Sequence, residues 1–131
     1  MIEFHLDERS GVPPYRQLVQ QVKDALRLGL LQPGDQLPTV KEVVAQIAIN
    51  PNTVLKAYRE LEYSGLVGGR PGQGTFILDH LPRPSLANHA PLRRTLLRWV
   101  RNAREAGLEE EDIVALFNTT LRGSLSEEDI A

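Results

Sequence analysis

The chain has no cysteine, which excludes a disulfide framework, a thiolate metal site and a cysteine nucleophile, and fits a reducing compartment. Its histidines, His5, His80 and His89, stand at no metal-ligand spacing and beside no Ser, Asp or Glu placed to make a triad. No metal, no cofactor and no catalysis is expected. Nowhere do about 18 apolar residues run together as a membrane-spanning helix requires. The first residues carry Glu3, Asp7 and Glu8 where a secretory signal needs positive charge, so the expected location is the cytoplasm, without a membrane partner. A surplus of positive charge is also missing: 15 Lys and Arg against 17 Asp and Glu leave a net charge of −2. There is no basic tail, no internal repeat and no low-complexity segment. On net charge alone a nucleic-acid partner is disfavoured, and any contact with DNA must rest on where individual side chains stand.

What is present is an ordinary globular composition, with 41% hydrophobic and 24% charged residues in 131 positions. At about 150 residues per domain, this is one domain or two small joined units. Residues 2 to 6 alternate apolar and polar with period two, as a short strand or extended arm would, before Gly11, Pro13 and Pro14 punctuate the chain. From Tyr15 the positions Leu18, Val19, Val22, Ala25, Leu26 and Leu30 follow helical spacing, with Arg16, Lys23 and Asp24 opposite. This helix is expected to end near Gly29, and Pro33-Gly34-Asp35 reads as a turn.

The clearest segment starts at Leu37. Thr39 and Glu42 form a capping box, in which each side chain satisfies a backbone N–H of the other's position. A helix is predicted from Val40 to about Ile47. A second start follows within a few residues, with Asn50 as cap and Pro51 at the first helical position, where its missing N–H is not needed. The second helix buries Val54, Ala57, Tyr58 and Leu61, stops at Gly65, and turns Asn52, Thr53, Lys56 and Arg59 outward. Two β-prone runs, Leu66-Val67-Gly68 and Thr75-Phe76-Ile77-Leu78, then flank Gly69-Arg70-Pro71-Gly72-Gln73-Gly74 as a hairpin. A helix, a tight helix-turn-helix and a hairpin make the order of a winged helix-turn-helix, whose second motif helix enters the DNA major groove. The glycines of the hairpin lack the Lys-Ser/Thr and the strand-to-helix context of a nucleotide loop.

Residues 80 to 91 hold three prolines and no periodicity, and read as a linker between a DNA-binding domain at 1 to 79 and a helical region at 92 to 131. In that region Leu92, Leu96, Trp99, Val100 and Ala103 form one apolar stripe ending at Gly107. Ile113, Leu116, Phe117 and Leu121 form another ending at Gly123. Such a two-helix hairpin is too small to bury its own core, and a second copy of itself is the simplest partner. The arginines at 93, 94, 98, 101 and 104 face a following acidic start at residues 109 to 112, a complementary pattern suited to a hairpin or a dimer. The fold expected is therefore mainly α with a small β-hairpin wing, closed by a short helical dimerisation hairpin.

In order along the chain, Pro14-Tyr15-Arg16-Gln17-Leu18, Pro33-Gly34-Asp35-Gln36-Leu37-Pro38-Thr39, Thr53-Val54, Tyr58-Arg59-Glu60-Leu61-Glu62, Gly65-Leu66-Val67 and Gly72-Gln73-Gly74-Thr75-Phe76 resemble the winged-helix domain of GntR-type transcriptional regulators. Asn50-Pro51-Asn52-Thr53-Val54 with Ala57-Tyr58, before a C-terminal part of some fifty residues, resembles the YtrA subfamily. The resemblance implies a homodimer joined through its helical C-terminus, regulating an operon that often encodes an ABC-type transporter. It also implies arginines where Pro51 and Leu55 stand, and an Arg-Arg-x-Gly-Arg-Gly wing where this chain has Gly69 to Gly74, so several positive contacts of the family are replaced here.

The expected partner is double-stranded DNA. Thr39 and Lys41 lie at a helix start, where backbone N–H groups favour a phosphate. Asn50, Asn52, Thr53, Lys56 and Arg59 lie on the recognition helix, where Asn pairs with adenine, Thr meets a thymine methyl and Lys reaches guanine or phosphate. Arg70 and Gln73 on the wing are candidates for phosphate or the minor groove. Leu92, Leu96, Trp99, Val100, Ile113, Leu116, Phe117 and Leu121 are the expected dimer contacts. The effector is not specified by the sequence. The competing reading is a protein-interaction adaptor, a winged helix whose lost charges have ended DNA binding.

Overall fold

The computed structural model describes residues 1–79 and 89–130, with the side chains of the last helix described as far as Leu125. The elements run α1 (Pro14–Arg27), α2 (Val40–Ile47), α3 (Pro51–Tyr63), β1 (Val67–Arg70), β2 (Gly74–Ile77), α4 (Ala90–Glu105) and α5 (Glu110–Ile130). They fall into two compact units, Met1–Asn88 and His89–Ala131.

In the first unit the alternating arm is not a sheet strand. Its Phe4 is buried, and its backbone is paired by glutamine side chains of α1. The His5 N–H donates to Gln21 Oε1 at 3.1 Å while Gln21 Nε2 donates to the His5 carbonyl at 2.7 Å. Gln17 does the same at Asp7, accepting at 2.8 Å and donating at 3.0 Å. Two amides on successive turns of α1 thus replace the strand partner that an extended segment otherwise needs. α1 buries Leu18, Val19, Val22 and Ala25, and Gly29 closes it at φ +75°, a conformation glycine adopts without a Cβ penalty.

The tight turn between α2 and α3 is formed as its caps predict. Thr39 Oγ1 accepts from the Glu42 N–H at 3.1 Å, and Glu42 Oε1 accepts from the Thr39 N–H at 3.3 Å. Asn50 Oδ1 accepts from the Asn52 N–H at 2.8 Å. Between the helices Ala48 sits in the left-handed region at φ 51°, a cost of about 1–2 kcal/mol for a residue with a Cβ, and the next residue, Ile49, is buried. That burial lets hydrophobic packing offset the strain. The core of Leu18, Val22, Leu37, Val43, Val54, Leu61 and Ile77 is at most 1% exposed.

β1 and β2 pair antiparallel from Val67↔Ile77 to Arg70↔Gly74. The segment read from sequence as a turn also pairs with β2 on its other edge. The Gly34 N–H donates to the Ile77 carbonyl at 2.9 Å, Ile77 N–H to Asp35 at 2.8 Å and Leu37 N–H to Thr75 at 2.9 Å. This third partner covers an edge that a lone hairpin would leave open.

In the second unit α4 begins at Ala90, inside the expected linker of 80 to 91, because Pro91 fits the first turn of a helix. Residues 80–88 of that linker, including His80, lie outside the described residues. Gly107, at φ +92°, ends α4. Gly123 does not end the second helix: α5 continues through it to Ile130. A lone glycine costs a helix only about 1 kcal/mol and stops it only where a left-handed residue is needed. At the start of α5 the Glu109 N–H donates to Asp112 Oδ2 at 2.9 Å, and Glu110, Glu111 and Asp112 occupy the first turn, as the helix dipole favours. No helix among the described residues is long and apolar enough to cross a membrane.

Candidate nucleic-acid interface

Three structural pieces bring the candidate residues to the surface of the first unit: the start of α2, the start of α3 and the wing. Thr39, Lys41, Asn50, Asn52, Lys56, Arg59, Arg70 and Gln73 are exposed and Thr53 is half-buried. Thr39 and Asn50 both use a side-chain oxygen for capping, which leaves the Thr39 O–H and the Asn50 amide N–H groups as outward donors. Asn52 and Lys56 are four residues apart on α3 and so share one face. Leu55, where the family resemblance implies an arginine, is 38% exposed.

Tyr58 fixes the recognition helix to the start of α2. It is buried, and its hydroxyl donates to the Pro38 carbonyl at 2.5 Å. Burial pushes its phenol well above the ordinary tyrosine range, and the Glu42 carboxylate adds to that shift, so it remains a donor. Tyr58→Phe leaves the carbonyl of fully buried Pro38 without this donor and is expected to destabilise the fold by about 1–3 kcal/mol, read by thermal melting. Because the folded-state pKa is raised, the wild-type contribution holds below the ordinary tyrosine range near 10 and is lost as pH climbs beyond it. The gap in stability between wild type and Tyr58→Phe should therefore narrow in alkaline buffer.

The wing is held from two sides. Gln36 Nε2 donates to the Gln73 carbonyl at 2.9 Å, tying the tip to the segment before α2. Gly74 is at φ +128°, a backbone conformation that favours glycine, and a Cβ there would lie 2.7 Å from Gln36 Nε2 and push the bracing amide aside. Arg70 donates to Asp79 Oδ2 at 3.2 Å, and its guanidinium carbon lies 4.2 Å from the Phe76 ring centroid. Stacking and ion pairing hold Arg70 extended over the hairpin, with part of its charge already matched. Thr39 and the loop from Gly69 to Thr75 line one open concavity, so the structure brings the start of α2 and the wing together.

The sequence reading missed Gln36, Tyr15 and Arg16. Lys56 Nζ lies 4.1 Å from the Tyr15 ring centroid, and Arg16 Nε donates to the Tyr15 hydroxyl at 3.2 Å. This hydrogen bond, the largest cause, holds the Arg16 guanidinium above the ordinary arginine range. Nothing in the spacing of Tyr15 and Lys56 announces their meeting, which is made by α1 packing on α3.

In the second unit Leu92, Leu96, Leu116, Phe117 and Leu121 are exposed, while Trp99, Val100 and Ile113 are half-buried. Trp99, Leu116, Phe117, Thr120, Leu121 and Ser124 line a shallow, mostly apolar concavity. Ala103 is the only buried hydrophobic residue among the described residues of this unit.

A tight helix-turn-helix with an exposed start of α3, followed by a two-stranded wing, defines a winged helix-turn-helix protein of the DNA-binding, transcription-regulating kind. Residues 14–77 match the gntR family of bacterial regulatory proteins. The chain is 37% identical over 111 residues to the HTH-type transcriptional repressor YtrA of Bacillus subtilis, covering 84% of this chain and 85% of that protein. It is 38% identical over 109 residues to the HTH-type transcriptional regulator Rv1152 of Mycobacterium tuberculosis, covering 83% and 86%. Among solved structures it is similar to a transcriptional regulator from Oenococcus oeni, at 34% identity and TM-score 0.54, over 88% of this chain and 97% of that one. The chain belongs to the GntR family of bacterial regulatory proteins, and the relatives named above are transcription regulators.

Proposed function

We propose that this chain is a sequence-specific transcriptional repressor that binds an inverted-repeat operator as a homodimer. The observation that carries the proposal is the polar start of α3, where Asn52 and Lys56 are exposed and Thr53 is half-buried, in a fold that also carries a braced wing. In this reading Asn52 and Thr53 meet base edges, and Thr39, Lys41, Asn50, Arg59, Arg70 and Gln73 are the candidates for backbone contact. The homodimer is supported by the exposed apolar faces of α4 and α5, which a unit of this size cannot cover by itself. Alternating basic and acidic stretches on those helices suit a two-fold, self-complementary contact. Two heads related by such an axis set half-sites a whole number of turns apart, about 34 Å or a multiple. The bound dimer then blocks polymerase at a promoter. Control of a transporter operon completes the proposal and rests on the YtrA-type resemblance alone. The effector is unknown.

The test is a titration of the purified chain against the duplex immediately upstream of its own gene and against a scrambled duplex, each at two salt concentrations. Retention on the first duplex at the higher salt is the expected result. A domain this close to neutral makes few phosphate contacts, so the affinity should fall with a shallow salt slope. Equal, salt-labile binding to both duplexes would refute operator recognition at that site, and no binding to either at low salt would favour the adaptor reading.

A further inference from the structure

Lys56 belongs to the recognition helix, yet its ammonium does not simply project into solvent. Its Nζ sits 4.1 Å from the centroid of the Tyr15 ring. Arg16, the next residue of α1, donates from Nε to the same tyrosine's hydroxyl at 3.2 Å, and its guanidinium carbon is 6.0 Å from the same centroid. Two cations from two helices therefore converge on one side chain. Tyr15 is half-buried and packed against the core, so its ring is a fixed platform, whereas both cations are exposed. Glu60 is near enough to act electrostatically on Arg16, and an anion that met both cations at once would gain charge-assisted contacts from two helices. Lys56 also lies one turn beyond Asn52 on the same face of α3. A helix lying in the major groove with Asn52 over a base edge brings the next turn toward the groove wall, where the phosphates are.

We propose that Tyr15 gathers Lys56 and Arg16 into one clamp for a DNA backbone phosphate, which makes α1 part of the DNA-binding surface and Lys56 a phosphate contact rather than a base reader. The inference rests on the DNA-binding function proposed above. Tyr15 is a positioning residue in it, acting through the two cations. The source of the phosphate is the duplex backbone, so the clamp acts on DNA of any sequence.

Fluorescence anisotropy with a short labelled duplex of arbitrary sequence, measured across a salt series, tests it. The double variant Lys56→Met with Arg16→Met should flatten the slope of log affinity against log salt by about 0.9 per subunit bound, the signature of one lost phosphate contact, and each single variant should weaken binding with a smaller change of slope. Tyr15→Leu keeps both charges, and should weaken binding by about two- to five-fold with the slope retained. Tyr15→Phe preserves the ring face under Lys56 but removes the hydroxyl that holds Arg16, and should recover only the part of that loss that Lys56 carries. In a Lys56→Met background Tyr15→Leu should cost less, whereas a merely structural role for the ring would cost the same in both backgrounds. An unchanged slope for the double methionine variant, or binding that is unaffected or tightened by Tyr15→Leu, would overturn the clamp while leaving DNA binding in place. Failure of the wild-type chain to bind this duplex at low salt would overturn the DNA-binding function and the clamp together.

Discussion

Replacing Asn52 and Lys56 together by alanine is expected to abolish the preference for the native duplex while leaving the fold and the subunit association intact. The Asn52 side chain is exposed, and the capping bond at this position is made by its backbone N–H to Asn50, which alanine retains. An asparagine paired to adenine is worth about 1–3 kcal/mol against the wrong base. With the loss of a phosphate contact added, the drop in affinity for the native duplex should be about 10- to 1,000-fold. The two changes should also separate. Asn52→Ala lowers the ratio of native to scrambled affinity, while Lys56→Ala lowers both affinities alike. Binding measured on both duplexes, with circular dichroism as the control for folding, decides it; a double variant that still prefers the native duplex would remove α3 from the recognition surface.

Phe117→Glu is expected to have the second large effect, at a distance from any DNA contact. Phe117 is 42% exposed and borders the apolar concavity with Trp99, Leu116 and Leu121. A glutamate there remains hydrated in a monomer and must be desolvated in a dimer, a cost of several kcal/mol without a partner. Light scattering should show a monomer, and the melting of the first unit should be unchanged. Operator affinity should fall by about 10²- to 10⁴-fold, because the second head loses the effective concentration that linkage gives it. A variant that remains dimeric would move the subunit contact away from this face.

The local signals in this chain are strong where a single residue type answers a backbone requirement. Thr39 with Glu42, and Asn50 with Pro51, are legible because helix starts leave N–H groups that only certain side chains satisfy. Gly29, Gly65 and Gly107 are legible for the complementary reason, each at positive φ just past a helix. Gly123 shows where that logic ends. The residue type is the same but no left-handed turn is demanded, and α5 passes through it. The arm at residues 2 to 6 is a second case. Its period-two pattern correctly buries Phe4, but alternation describes a side-chain pattern and does not say whether another strand or the amides of Gln17 and Gln21 take the backbone hydrogen bonds.

The interface divides in the same way. Sequence alone determined the helix-turn-helix, the outward face of Asn52, Thr53 and Lys56, and the glycine turn of the wing, because helical periodicity, capping and turn chemistry act between residues close in the chain. Only the tertiary structure decided that Gln36 would brace Gln73, that Arg70 would lie over Phe76 against Asp79, and that Lys56 would meet Tyr15 and Arg16. Gln36 with Gln73 and Tyr15 with Lys56 join segments far apart in sequence, and which exposed side chains meet, across the hairpin as well as between helices, depends on how α1 and β2 pack on a shared core of Leu18, Leu37, Leu61 and Ile77. Close packing fixes those positions through many small contacts at once, so no single spacing in the chain records them.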